Sequence, residues 1–141
     1  MNYYLRSKIF LFALLGVTAF SCTSDDQIQY EQYVIYGGDL YIQHCSNCHG
    51  VNGEGLRDLY PPLKGSDYLA NRVKIICAIQ NGLKGEIVVN GKKYNQVMPK
   101  NNQLYSLDHA QIATYIYDKW GDESTKKLVT VEEVEKANCN Y

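Results

Sequence analysis

Two thiols and an imidazole fall together in His44-Cys45-Ser46-Asn47-Cys48-His49-Gly50. Cys-x-x-Cys-His is the attachment signature of a c-type haem. Two intervening residues put Cys45 and Cys48 at i and i+3, on one side of a helical turn. Both sulfurs can then bond the two vinyl groups along one porphyrin edge, and His49 supplies a neutral imidazole nitrogen to iron. Three other readings compete. A zinc site needs two more ligands at similar spacing, and Cys77, Cys139, His44 and His109 form no second knuckle. A thioredoxin-like pair needs a preceding strand in a βαβ setting, whereas Gly38-Asp39-Leu40-Tyr41-Ile42-Gln43 reads as helix. A plain Cys45–Cys48 disulfide leaves His49 without a role.

Haem iron in electron carriers is commonly held by His and Met, the thioether raising the reduction potential. Met98, in Val97-Met98-Pro99-Lys100, is the candidate second ligand, because the other Met is Met1. A lone Met is ordinarily a flexible core filler, but this one stands in a loop stiffened by proline. Its rivals are His109, assigned to the exposed start of a helix, and His44, too near Cys45 to reach the opposite haem face. Two protein ligands leave iron no open position for a substrate, so the chemistry expected is single-electron transfer rather than catalysis.

The start of the chain says where this chemistry takes place. Met1 to Lys8 carries Arg6 and Lys8 without an acid, Ile9 to Phe20 is almost purely apolar, and Ser21-Cys22 follows. That is the layout of a secretory signal, 1–21, and its apolar stretch is short for a membrane span. A Cys directly after such a stretch resembles a lipoprotein signal, in which Cys22 is lipidated and becomes the mature N-terminus. The other reading is an ordinary cleaved signal that leaves Cys22 a free thiol. Removing 21 residues leaves 120, with 12 basic against 15 acidic residues and a formal charge of −3. The polar stretch 22–36 then reads as a tether between lipid and domain.

The whole chain has 141 residues, 14 Lys+Arg against 15 Asp+Glu, and 45% hydrophobic residues. That is about one domain. A net charge of −1 excludes a basic nucleic-acid footprint. With all three Phe in the leader and one Trp in the chain, aromatic packing must come from Tyr, and haem must supply much of the core.

The ordered set Gly38-Asp39-Leu40-Tyr41, Cys45-x-x-Cys48-His49-Gly50, Gly53-Glu54-Gly55, Pro61-Pro62-Leu63-Lys64-Gly65, Asn90-Gly91-x-x-Tyr94, Met98-Pro99 and a closing helix to Tyr115 and Trp120 resembles the class I monohaem cytochromes c. It is most similar to the small bacterial c-type domains found alone or fused to terminal oxidase subunits, nitrite reductases and periplasmic dehydrogenases. The resemblance runs from Gly37 to about Trp120. It implies a mainly α fold of three to five helices around one covalent haem c, with a small β-hairpin before the Met loop. It implies that the Pro61 carbonyl accepts the Nδ1 proton of His49, consistent with a ligating imidazole donating its other N–H. It also implies that Tyr94 lies at the haem edge near a propionate, with Arg72 a weaker propionate candidate. Gly37 and Tyr41 resemble the family's small and aromatic pair, the Gly letting the first helix cross the last closely.

The elements expected to position these groups are a helix from about Gly38 to Cys45 and a second from Ser66 or Asp67 to Gln80. The second buries Leu69, Val73, Ile76 and Ile79 or Cys77, and Asn81-Gly82 ends it. Ile87 to Tyr94 reads as a hairpin with an Asn90-Gly91 turn that braces the Met98 loop. A last helix starts at Ser106 or Asp108, carries Leu107, Ile112, Ile116 and Trp120 near one face, and stops at Gly121. The domain is therefore 37–121, followed by a charged extension, 122–141, with a short helix capped by a Thr130–Glu133 box. Cys77 and Cys139 either form a disulfide in the oxidising compartment, or stay a buried apolar residue and a loose thiol.

The expected role is a membrane-tethered, extracytoplasmic electron carrier serving a terminal oxidase, reductase or dehydrogenase. Alternatives are a cytochrome subunit of a larger oxidoreductase, or a haem enzyme or sensor in which Met98 dissociates. Lys64, Lys92, Lys93 and Lys100 either ring the haem rim to steer an acidic partner or are scattered solvated lysines.

Overall fold

In the computed structural model, residues 24–140 are described. The expected signal, 1–21, and Cys22 lie outside them. Helix α1 spans Asp25–His44. The Ser24 side chain caps it by accepting from the Gln27 N–H, and Asp25 and Asp26 in the first turn suit the positive end of its dipole. The helix therefore starts well before Gly38, and residues 25–36 are helical rather than an unstructured tether. Gly37-Gly38 inside a helix costs up to about 1 kcal/mol per residue in propensity. Packing supplies the reason for it, because a Cβ on Gly37 would lie 2.0 Å from the Gln111 carbonyl oxygen of the last helix.

Helix α2, Ser46–His49, is the single turn that follows Cys45. The expected second helix is divided in two. A 3-10 turn covers Asp67–Ala70, and helix α3 covers Arg72–Asn81. Asn71 separates them because its extended backbone and side chain cap the new helix, Oδ1 accepting the Lys74 N–H at 3.0 Å. The buried face comprises Ile75, Ile76, Cys77, Ala78 and Ile79 with Leu69, while Val73 in the first turn of α3 is 44% exposed.

The hairpin is as expected. Strand β1, Ile87–Val89, pairs antiparallel with β2, Lys92–Tyr94, in the register Ile87–Tyr94 and Val89–Lys92. Asn90 and Gly91 both take positive φ (51° and 75°), as a tight two-residue turn needs. The Asn90 backbone N–H donates to Asp67 Oδ1, and Asn90 Oδ1 accepts from the Asp67 N–H. These bonds clip the turn to the 3-10 segment.

Helix α4, Ser106–Trp120, is capped at Tyr105, whose N–H donates to Asp108 Oδ2 at 2.8 Å. Asp108 thus acts from inside the first turn rather than as the cap itself. Ile112 and Ile116 are buried as expected, whereas Leu107 is exposed. The core joins α1, α3 and α4 through Tyr41, Ile76, Ile112, Ala113 and Tyr117. Burying an Ile side chain stabilises by about 2–3 kcal/mol before entropy is counted. Behind the future site, Tyr41 packs on Tyr115 and Trp120 at centroid distances of 5.4 and 5.2 Å.

The extension is part of this core. Val129 and Val134 are buried, and helix α5, Val131–Lys136, is capped by Thr130 Oγ1 accepting from the Glu133 N–H. The Glu133 carboxylate pairs with Arg72 at 2.6 Å rather than closing the box. Cys77 and Cys139 form a disulfide with Cα atoms 5.4 Å apart, which joins the tail to α3.

Candidate functional site

The end of α1 and the turn of α2 deliver the two thiols and the imidazole to one place. The Cys45 N–H bonds back to the Tyr41 carbonyl, and the His49 N–H bonds to the Cys45 carbonyl at 3.0 Å. The Tyr41 hydroxyl donates to the Gly50 carbonyl at 2.6 Å, tying the turn to the aromatic cluster behind it. Cys45 and Cys48 are not disulfide-bonded. Burial, and then the neighbouring Cys48, push the Cys45 thiol up to about 11.

His49 Nδ1 lies 3.0 Å from the Pro61 carbonyl oxygen, so Nδ1–H donates there and Nε2 is the nitrogen left for a metal. Burial lowers the His49 pKa and the Pro61 bond partly restores it. The neutral imidazole that coordination requires is therefore the favoured form.

Cys45, Cys48, His49, Pro61, Tyr94 and Met98 all line one cleft. Ile79, Leu83, Ile87 and Ile112 supply apolar wall. Met98 is held by its own backbone: the Leu83 N–H donates to the Met98 carbonyl at 2.9 Å, and the Met98 N–H to the Leu83 carbonyl at 3.0 Å. A brace therefore comes from the segment after α3. Gly82 makes it possible, because a Cβ there would stand 2.2 Å from the Met98 carbonyl oxygen.

This arrangement, a thiol pair and imidazole on one wall with a backbone-locked thioether in the same cleft, is what a covalently attached haem requires. The cytochrome c family matches residues 34–120. The chain belongs to the cytochrome c family. Two relatives, both cytochrome c-552 from Thermus thermophilus, are each 38% identical over 108 residues. That stretch covers 71% of this chain, and 82% and 72% of the two relatives.

Cytochromes c carry covalent haem c and pass electrons rather than transform substrates. The residues present fit that group: a reduced thiol pair, an imidazole with Nδ1 already engaged, and an apolar cleft. This cytochrome c departs from the sequence reading in two site residues. His109 is not at an exposed helix start but is 7% exposed, with neither ring nitrogen bonded among the described residues. It does not line the cleft. Burial lowers its pKa, Asp108 opposes that, and Lys100 adds to it. Arg72 does not line the cleft either; it binds Glu133 and the Thr125, Lys127 and Leu128 carbonyls, pinning the extension.

Sequence reasoning missed the Leu83 brace and a second tie, Asn101 Nδ2 donating to His44 Nδ1 at 3.1 Å across the cleft mouth. No local pattern signals either contact. None of Lys64, Lys92, Lys93 and Lys100 lines the cleft; Lys92 pairs with Asp58 and Lys93 with Glu86. Lys64 and Lys100 have no ion pair among the described residues.

Proposed function

We propose that this cytochrome c is a membrane-tethered, extracytoplasmic single-electron carrier. In this reading Cys45 and Cys48 hold one haem c, His49 and Met98 are its axial ligands, residues 1–21 are removed, and Cys22 carries the lipid. The observation that carries the reading is that His49, oriented by the Pro61 carbonyl, and Met98, locked to Leu83, share one cleft.

Bound haem c supplies the one-electron couple. The chain's part is to keep the ligands from moving when the charge changes. Pro61 fixes the imidazole plane and keeps Nδ1 protonated. The Leu83 pair fixes the Met98 backbone, and the apolar walls exclude water, which favours the less charged reduced site. Tyr94, 6% exposed and on the cleft wall, is the candidate propionate neighbour. Short-lived contacts at the cleft mouth suit a carrier.

The lipid anchor is supported by the leader pattern and by Cys22 directly after the apolar stretch. Among the described residues no helix is long and apolar enough to cross a membrane. Respiratory or dehydrogenase partners follow from the resemblance to oxidase- and dehydrogenase-linked domains.

Optical and paramagnetic spectra of both redox states, with and without carbon monoxide, test the function. A carrier shows six-coordinate iron that carbon monoxide does not readily alter; ready binding would establish the enzyme or sensor reading instead. Co-purification from solubilised membranes separates a free carrier from a fixed subunit.

A further inference from the structure

Helix α1 does more than begin the domain. Its N-terminal half lies outside the region expected to fold, yet from Tyr30 onward it is docked on the rest of the domain. Ser24 caps it, the Tyr30 hydroxyl donates to Asp118 Oδ1 at 2.9 Å, Tyr33 packs on the core, and Gly37 crosses α4 in backbone contact. Tyr30 and Asp118 are 88 residues apart in sequence, so this tie joins α1 to the last turn of α4. Only Thr23 separates Cys22 from the capping Ser24. Two residues reach at most about 7 Å.

At the other end, His44 closes α1 and Cys45 lines the cleft. A 20-residue helix is about 30 Å long. The capping Ser24 and the cleft therefore lie at opposite ends of one helix, and Cys22 is two residues from that cap in sequence.

We propose that α1 is a rigid spacer that holds the haem cleft about 30 Å from the Cys22 anchor, and that the redox partner is an extramembrane domain with its docking site at that height, not a donor dissolved in the bilayer. The proposal rests on Cys22 being the attachment point. Charge favours the upright posture over one lying on the lipid. Helix α1 carries Asp25, Asp26, Glu31 and Asp39 and no Lys or Arg, whereas helices that lie in the interface are rich in Lys and Arg on the polar face. An anionic surface repels this helix. Its exposed Ile28, Ile35, Tyr36 and Ile42 would favour lying flat, and the test scores that outcome directly.

The mature holoprotein, 22–141, is prepared without lipid and coupled through the Cys22 thiol to a maleimide lipid. The vesicles are phosphatidylcholine–phosphatidylglycerol with a headgroup fluorophore, whose emission the haem quenches steeply with proximity. The comparison protein carries a flexible Gly/Ser insertion of about 12 residues between Thr23 and Ser24, enough for a root-mean-square reach of about 20 Å. Quenching is expected to be at least about 2-fold stronger with the insertion, because the freed domain can then tumble toward the bilayer. Equal quenching, or stronger quenching without the insertion, overturns the spacer. Amide exchange across 28–36 at free-peptide rates overturns it too.

For the partner class, a quinol is dissolved in the same vesicles; one quinol reduces two ferric haems and releases two protons. Reduction of the uninserted protein is expected to be at least about 10-fold slower than that of the inserted one. Equal rates overturn the partner assignment. Lipidation itself is read separately, from the mass of the mature chain extracted from native membranes. A chain without lipid there removes the anchor reading but leaves the vesicle result on the spacer standing.

Discussion

Gly82→Ala tests how the Met98 loop is held. Gly82 ends α3 with φ 69° and ψ −174°, a conformation that is essentially confined to glycine and costs other residues about 1–3 kcal/mol. The added Cβ would also stand 2.2 Å from the Met98 carbonyl oxygen, 2.8 Å from the Lys100 nitrogen and 2.9 Å from the Pro99 carbonyl carbon. All three are backbone atoms, so the loop must retreat by about 1 Å to reach ordinary van der Waals separation. That retreat breaks the Leu83–Met98 hydrogen bond, a further loss of about 1 kcal/mol. The sum is about 2–4 kcal/mol, which lowers the melting temperature of a domain this size by about 8–16 °C.

The assay is a thermal melt of the holoprotein, with the methionine-to-iron charge-transfer band and the midpoint potential measured on the same sample. The band should weaken and the midpoint fall. Gly91→Ala is the control: its φ is +75°, nothing lies within 4 Å of an added Cβ, and it does not line the cleft. It should cost only the backbone strain of about 1–2 kcal/mol and leave the band alone. A Gly82→Ala protein with wild-type band, midpoint and melting temperature would refute the brace.

Three further predictions concern the scaffold. Gly37→Ala places a Cβ 2.0 Å from the Gln111 carbonyl, so it should destabilise by about 2–3 kcal/mol, despite a helix-propensity gain of about 1 kcal/mol; denaturant titration reads the difference. Cys139→Ser opens a disulfide across 62 residues and should cost about 2–4 kcal/mol in the same titration while sparing the charge-transfer band. His109 has a lowered pKa in the folded state. As pH falls through its ordinary value near 6.5, the unfolded chain therefore takes up the proton first. Stability should drop below that pH with a limiting slope of about 1.4 kcal/mol per unit, then level off once the folded state also protonates. His109→Leu should remove that component, and melts of both proteins between about pH 5 and 7.5 compare the slopes.

Chemistry set by short spacing was legible in the chain. Cys45, Cys48 and His49 are fixed by one helical turn, and the hairpin by Asn90-Gly91, whose positive φ values local sequence predicts. The Pro61 partner of His49 came through resemblance, and the structure places its carbonyl at hydrogen-bond distance. What was missed depends on contacts between distant segments. The start of α1 was hidden because the polar stretch 22–36 reads as a tether, and because Tyr30 gains its partner 88 residues away. Arg72 looked free for a propionate, but the extension supplies Glu133 and three carbonyls to occupy it. His109 looked exposed because polar residues in a first helical turn usually are, whereas here it is 7% exposed. The face of α3 shifted from Val73 to Ile75 once Asn71 began a new helix.

The axial pair is the claim on which the carrier reading stands, and replacing Met98 tests it most directly. The mature protein and its Met98→Ala variant are compared for covalent haem mass, ferric spectrum, carbon monoxide binding to the ferrous form, and midpoint potential. The account predicts haem bound covalently in both, with the variant losing the charge-transfer band, binding carbon monoxide readily and falling in midpoint potential. An unchanged spectrum and midpoint in the variant, or a wild-type chain that carries no haem, would contradict it.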